Sequence, residues 1–313
     1  MTAPNPTSEH PRADGRSSVL PRLRPASPAD VSRRADWIRL KTIELIEIAG
    51  SGHYSSVFSC AELLATLYYR TLRLDPADPA WPDRDRFLMG KGHAAIGQYP
   101  VLADLGYYPF AWLADYARLG SRFGDHPDMR KIPGIDFSSG SIGHNLSVGV
   151  GMALAGRKQG RDYRTVVLLG DGELNEGQVW EAAMAASHFG LGNLIAVVDE
   201  NKMCLDGTVD AVMGIEPIVD KWQAFGWEVR EFDGHDAAAV MAALDDLPSP
   251  ESPQPICLLA HTRKGFGVSF MDLSLHWHLG YLGELDRRAA VAEITERLAV
   301  TPPGGPEGKD GGS

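Results

Sequence analysis

The sequence predicts an α/β fold, a mostly parallel sheet with helices on both faces, and three observations predict it. The apolar runs Val166-Val167-Leu168-Leu169 and 194–198 are short, unbroken and rich in branched residues, as strands buried on both faces are. Such runs alternate with longer stretches of helical character along the chain. The first run ends in Gly170-Asp171-Gly172, an acid between two glycines at a strand-to-helix turn.

In chain order, residues 1 to about 30 are rich in Pro, Ser, Arg and Asp and bury too little surface to offset the entropy of ordering, so a flexible N-terminal arm is expected. Asp30 reads as the N-cap of "VSRRADWIRLKTIELIEIA", with Trp37, Leu40, Ile43, Ile46 and Ile48 toward one side and Gly50-Ser51-Gly52 as the stop. A second helix is expected in "SCAELLATLYYRTL", followed by the Pro- and Asp-rich loop "DPADPAWPDRDR" and a short strand at "FLMG". "HAAIGQYPVLADLG" is helical in character, with Pro100 expected to kink or divide it. "NLSVGVGMALAGRKQG" is a helix whose small residues permit close packing. Strand "RTVVLLG", helix "GQVWEAAMAASHFG" and strand "NLIAVVD" come next. "WQAFGWEVREFDG" and "PICLLAHT" supply further strands around the helix "DAAAVMAALDDL". The body, 31–300, forms one domain, and the tail "TPPGGPEGKDGGS", 301–313, is expected to be disordered.

The chain has 313 residues, 44% of them hydrophobic, enough for a sizeable core. Its net charge of −11 argues against nucleic acid or a basic membrane surface as partner. Cys60, Cys204 and Cys257 lie far apart and form no CxxC, as thiols of a reducing compartment do. No apolar run approaches the roughly 18 residues of a membrane span. The N-terminus also lacks the apolar core of a secretory signal, so a cytoplasmic location is expected.

In a parallel β–α–β unit both strands finish at one edge of the sheet, and ligands bind in the crevice outside it. Asp171 ends the first strand and Asn201 falls just past the second, so an acid and an amide 30 positions apart meet on one rim. Such oxygen ligands suit a hard cation like Mg²⁺, which also accepts backbone carbonyls and ligand phosphates. Gly170 and Gly172 let a phosphate approach the backbone, and the helix beginning near 176–178 turns its N-terminal dipole toward the rim. Alone, a Gly-Asp-Gly triplet is most commonly a turn and an Asn after a strand a cap. The strand–helix–strand context that sets both at one locus is what points to a site.

Gly-Asp-Gly followed after 28 intervening residues by Asn201 resembles the thiamine diphosphate motif. The fuller string "LLGDGELNEGQVWEAAMAA…NLIAVVDENKMCLDG" is similar to the transketolase family. The similarity extends over about 35–282 through "TIELIEIAGSGH", "DRFLMGKGHAA", "PGIDFSSGSIGHNLSVGVGMALA", "DKWQAFGWEVREFDGHD" and "KGFGVSFM". The resemblance implies that family's diphosphate-binding domain, with thiamine diphosphate and Mg²⁺ as cofactors. By it, Asp171 and Asn201 bind the metal through side chains and Met203 through its carbonyl. Gly172 lies against the diphosphate, and Gly140, Ile142, Gly170 and Glu173 are further cofactor contacts. Glu176 and Glu181 match acids at the family's subunit interface that link its two cofactors by shared protons, and Glu176 is thereby counted with the catalytic residues. Read from the residues alone, the two glutamates are a first-turn acid compensating the helix dipole and a solvated helix face. Lys264 either meets the diphosphate or is solvent-exposed.

Of ten histidines, His53, His93, His126 and His278 stand at glycine-rich or element-end positions, in "GSGH", "GKGH", "GDHPD" and "HWH". Matching histidines in the family line the substrate funnel and the cofactor's reactive carbon, and His93 also counts among the cofactor contacts. Moving a two-carbon ketol unit requires deprotonating a hydroxyl and stabilising charge on oxygen, which imidazole does near neutral pH. His10 and His188 read as ordinary, His235 and His261 as loop supports, and His276 as a neighbour of His278. The chain departs from the family pattern in Leu279, where a glycine is usual, in Tyr54-Ser55-Ser56, which replaces a small Pro-Gly-Gly-like run, and in His144, where Gln-Gly is common. The Tyr54 and His144 departures are expected near the substrate mouth.

The family's activating glutamate lies in a separate pyrimidine-binding domain, and no second α/β domain follows 282 in this sequence. The expectation is an N-terminal (alpha) subunit of a split transketolase. It would move a glycolaldehyde unit from a sugar or sugar-phosphate ketose to an aldehyde, and only with a C-terminal subunit, in an α₂β₂ heterotetramer. Two alternatives stand beside it. One is a subunit of another thiamine diphosphate enzyme, 1-deoxyxylulose-phosphate synthase-like or 2-oxo acid dehydrogenase E1 alpha-like, since these share the Gly-Asp-Gly…Asn pattern. The other is a non-catalytic scaffold that keeps the fold.

Overall fold

The computed structural model describes residues 27–300; residues 1–26 of the expected arm and the expected tail 301–313 lie outside the described residues. The last part of the arm is already helical. In α1 (Pro28–Ala49) the cap is Ser27, not Asp30: the Ser27 hydroxyl accepts from the Asp30 amide at 3.3 Å, and Pro28 pre-sets the first turn. Asp30 sits inside that turn, where its charge opposes the helix dipole. The helix stops at Gly50, whose φ of 78° lets its amide close on the Ile46 carbonyl at 2.8 Å. The buried stripe is Val31, Ala35, Ile38, Thr42, Leu45 and Ile46, with Trp37, Leu40 and Ile48 at its margins.

Next come α2 (Tyr54–Phe58) and α3 (Ala61–Thr66), which runs on into one π-helical turn, and then β1 (Arg86–Met89). Pro100 does not divide α4 (Ala95–Asp104). The ten-residue helix is buried from 95 to 103, and that burial offsets the one backbone hydrogen bond proline removes. The central unit is α5 (His144–Lys158), β2 (Thr165–Gly170), α6 (Gly177–His188) and β3 (Leu194–Glu200). The short α7 (Val209–Met213) and α8 (Ile218–Ala224) precede β4 (Glu228–Asp233). The first part of "WQAFGWEVREFDG" is therefore helix, not strand. Trp222 is fully buried with its ring 5.4 Å from Trp180 and 4.7 Å from Trp227, and the chain reverses at Gly226. The last elements are α9 (Ala237–Asp245), β5 (Ile256–His261) and α10 (Glu284–Val300).

The five strands form one parallel sheet in the order β1-β2-β3-β5-β4. Alternate residues of its central strands enter two separate cores. Val166, Leu168, Ile195 and Val197 pack with α1, α3, α4 and α9; Val167, Leu169, Ala196 and Val198 pack with α5, α6 and α8. Both faces are thus dry, and the carboxyl edge of the sheet is where polar groups gather. Among the described residues no helix is long and apolar enough to cross a membrane.

Candidate functional site

β2 and β3 stay in register to their ends, with Gly170 opposite Asp199 and the Asp171 amide donating to the Asp199 carbonyl at 3.3 Å. Asp171 and Asn201 therefore leave the sheet side by side, and both line one cavity of about 210 Å³. Asp171 is 2% exposed. Its carboxylate accepts from the Gly172 amide at 2.8 Å and the Lys202 amide at 2.6 Å. Burial, and then the neighbouring Asp199, push it from an ordinary 3.8 up to about 7. Asn201 donates to Asp199 at 3.0 Å, and its amide oxygen accepts from the Met203 amide at 3.2 Å. Gly170, Gly172, Ile142 and Met203 line the same cavity. A Cβ on Gly172 would come within 2.9 Å of the Cys204 sulfur, so a larger residue at this turn would displace that side chain.

Glu173 also lines the cavity, but its two oxygens accept from the amides of Gly143 (2.8 Å) and Gly170 (3.2 Å). It braces the 140–143 loop against the Gly-Asp-Gly turn, and burial pushes its carboxyl to about 7. Lys264 is 2% exposed, which removes the solvent-exposed alternative. Its ammonium donates to the carbonyls of Met203 (3.2 Å) and Cys204 (2.9 Å) and meets His278 Nδ1. Burial, and then Lys91, lower it to about 8.

The floor also holds an ion pair that sequence reasoning missed, and its lysine lines the cavity. Lys91 is buried, donates to the Ser56 carbonyl at 2.7 Å and pairs with the fully buried Asp199. Asp199 also accepts from Ser59 Oγ at 2.7 Å, from Thr262 and from Asn201. Burial disfavours both charges, but their attraction outweighs it, raising the lysine and lowering the acid. The available signals were a lysine between the glycines of "GKGH" and an acid two positions before Asn201.

Three histidine rings meet at the mouth. The centre of His53 is 4.9 Å from that of His93 and 5.4 Å from that of His278, and His93 and His278 are 5.7 Å apart. A backbone bridge makes the meeting possible: Gly52 and Gly280 exchange two hydrogen bonds of 3.0 Å, fastening the segment around 278 beside His53. His93 lies in the turn that follows β1, and it and His278 line the cavity, with the His53 ring packed against both. Burial, and then His53, push His93 well below 6.5; burial, and then Lys264, push His278 to about 3. Both rings are therefore neutral near pH 7. His126 is half-exposed and lies over Gly92 and Gly140. Gly140 has a φ of 100°, and a Cβ there would fall 2.4 Å from His126 Cδ2. Gly140 thus seats His126 and does not face the cavity. Asp125, also missed, touches His53 Nδ1 at 3.2 Å and approaches His126 Nδ1 at 3.6 Å.

Several residues singled out in the sequence are not brought here. Glu176 is exposed at the start of α6 beside Gly143, and Glu181 is exposed further along that helix. Tyr54 was expected near the substrate mouth but is 1% exposed and turned inward; its hydroxyl accepts from the Leu282 amide at 3.2 Å. The ring packs under the 277–282 segment, with Trp277 6.5 Å away. His144 is exposed against Gln178 (2.5 Å) and does not line the cavity. His235 supports a loop: it accepts from the Arg263 amide at 2.9 Å and stacks on Phe266.

Among the described residues no three His, Cys, Asp or Glu side chains converge as a metal site. One carboxylate, one amide oxygen and one carbonyl form a different kind of set, which a hard cation completes with oxygens from its ligand. The buried, proton-hungry Asp171 fits such a cation, since a nearby positive charge would restore its carboxylate.

A family model described as the transketolase thiamine diphosphate-binding domain matches residues 31–302. A 6-deoxy-6-sulfo-D-fructose transketolase subunit of Clostridium sp. (strain MSTE9) is 41% identical over 86% of this chain and 98% of its own. An apulose-4-phosphate transketolase subunit of Phocaeicola vulgatus is 37% identical over 83% of this chain and 92% of its own. Among solved structures, the transketolase of Campylobacter jejuni aligns with a TM-score of 0.79 at 26% identity, covering 87% of this chain and 45% of that one. The chain spans less than half the length of that full transketolase.

Proposed function

The chain belongs to the transketolase family through its thiamine diphosphate-binding domain, and we propose that it is the N-terminal (alpha) subunit of a two-component transketolase. One observation carries the reading: Asp171, Asn201 and Met203 line a single cavity whose mouth holds His93 and His278. Asp171 and Asn201 would hold Mg²⁺ through side-chain oxygens and Met203 through its carbonyl. Gly170, Gly172, Lys264 and His93 would face the diphosphate. When bound, the cofactor supplies the carbanion chemistry that breaks and remakes a carbon–carbon bond. This chain's own residues do the rest. The buried floor excludes water, while His53, His93, His126 and His278 orient substrate hydroxyls and handle their protons.

Two relatives covered over nearly their whole length are named as subunits, which supports a second polypeptide that brings the pyrimidine-binding half and its activating glutamate. The exposed Glu176 and Glu181 would then lie at a subunit boundary of an α₂β₂ assembly. Those relatives are named for a sulfonated and a phosphorylated sugar, so a ketose with an anionic end is the proposed donor class. Three free thiols suit a cytoplasmic assembly.

The test is to purify the chain alone and with its C-terminal partner and to assay glycolaldehyde transfer with Mg²⁺ and thiamine diphosphate present. Transfer by the pair and not by the single chain is expected. Full turnover by the isolated chain would refute the split arrangement, and CO₂ release from pyruvate would favour a 2-oxo acid enzyme.

A further inference from the structure

We propose that Asp125 is a positioning residue that makes His53, among the clustered histidines, the one that takes the proton of the substrate hydroxyl. The inference rests on the ketol-transfer reading and deepens it. Asp125 reaches His53 from 72 positions away in sequence, with one oxygen 3.2 Å from His53 Nδ1 and the other 3.6 Å from His126 Nδ1. Burial pulls the Asp125 carboxyl up, but the hydrogen bond from His53 and the electrostatic attraction of the His53 and His126 rings outweigh it. The group stays below the ordinary carboxylate range.

An ionised carboxylate only accepts, so His53 Nδ1 must donate. That fixes the Nδ1–H tautomer and leaves the lone pair on Nε2, at the opposite end of the ring. The other two rings of the cluster are differently placed. His278 presents Nδ1 to Lys264, and His93 has Lys91, Lys264 and two imidazoles as its titratable neighbours. Among the described residues neither ring has a carboxylate within ion-pair distance, and both are held neutral by their surroundings. In the proposed step the substrate O–H bond breaks, its proton passes to His53 Nε2, and the bonding pair stays on the oxygen. The imidazolium so formed stands against Asp125.

Two variants of the full chain test this, Asp125→Ala and Asp125→Asn. The first readout is long-range ¹H–¹⁵N correlation on ¹⁵N-histidine-labelled protein near pH 8, with His53 assigned by its loss in His53→Gln. Wild type should show His53 as Nδ1–H. Asp125→Ala should shift it toward Nε2–H, and Asp125→Asn, whose amide oxygen still accepts, should retain Nδ1–H.

The second readout compares two donors in the complex with its partner subunit. Cleavage of 6-deoxy-6-sulfo-D-fructose, followed as released aldehyde, needs a hydroxyl proton removed. Cleavage of hydroxypyruvate releases CO₂ and needs none. Asp125→Ala should lower kcat about 100-fold for the ketose with KM within about 2-fold, and change hydroxypyruvate turnover less than about 3-fold. Equal loss with both donors, or an Nε2–H ring in wild type, overturns the assignment. Wild-type turnover of hydroxypyruvate but not of the ketose overturns it too. A wild-type complex that cleaves neither donor sinks the ketol-transfer reading and this catalytic role with it, while the tautomer spectrum still reports whether Asp125 orients His53.

Discussion

The floor of the cavity and its mouth are built in opposite ways. The floor comes from two neighbouring strand ends, and its polar side chains hold backbone amides or one another: Asp171 on Gly172 and Lys202, Glu173 on Gly143 and Gly170, Asp199 under Asn201. The mouth gathers rings from four distant segments and fastens them with one glycine bridge and one shared carboxylate. Their electrostatics also run in opposite directions. Burial holds Asp171 and Glu173 of the floor near 7 and pushes His93 and His278 of the mouth down. A rigid, over-bonded floor suits an invariant ligand such as a diphosphate and its metal. A lightly tied mouth can change its substrate without disturbing the floor.

The contrast breaks first at Lys91. Lys91→Met leaves Asp199 as an uncompensated buried charge and should cost about 3–5 kcal/mol in urea denaturation, with Lys91→Met/Asp199→Asn recovering much of it. A loss below about 1 kcal/mol would mean that the floor is not held by this pair.

Asp171→Asn should separate stability from binding. The carboxyl's pKa is raised in the folded chain, so the folded state binds more protons between about 3.8 and 7. The stability it contributes is complete below that window and lost as pH rises through it. Above pH 7 the cofactor-free variant should therefore be more stable than wild type by roughly 2–4 kcal/mol. Its Mg²⁺-dependent thiamine diphosphate binding should weaken more than about 100-fold by calorimetry of the complex.

His278 has the reverse sign. Its folded pKa is lowered from 6.5 to about 3, so its contribution is present above 6.5 and lost as pH falls toward 3. The stability gap between wild type and His278→Gln should therefore move against wild type across that window; a gap that stays constant would contradict a neutral His278.

The smallest effect is expected at Tyr54. Tyr54→Phe leaves the Leu282 amide without its acceptor and should cost about 1 kcal/mol. Ketose KM should stay within about 2-fold, because the ring faces the core and not the mouth. A large change in KM would return Tyr54 to the substrate path.

Much of the floor was legible in the sequence because parallel pairing turns spacing into position. Once 166–169 and 194–198 were strands, Asp171 and Asn201 had to share an edge. Asp199 and Lys91 escaped notice because a buried ion pair leaves no periodic trace; each looks like part of its local motif. The mouth was legible only as residue types. Four histidines at glycine-rich or element-end positions suggested a site, but nothing in the spacing of 53, 93, 125 and 278 says that three of these residues ring a fourth. Tyr54 misled because its size was read without its direction.

By itself the sequence determined the alternation of strand and helix, the two dry faces and the edge where an acid and an amide meet. These follow from side-chain periodicity and the single parallel arrangement it permits. The tertiary structure alone decided which way each side chain at the mouth points, that Gly52 and Gly280 pair, and that Asp125 reaches His53. Contacts across 72 to 228 residues depend on how loops close over the sheet, and no local pattern encodes that closure.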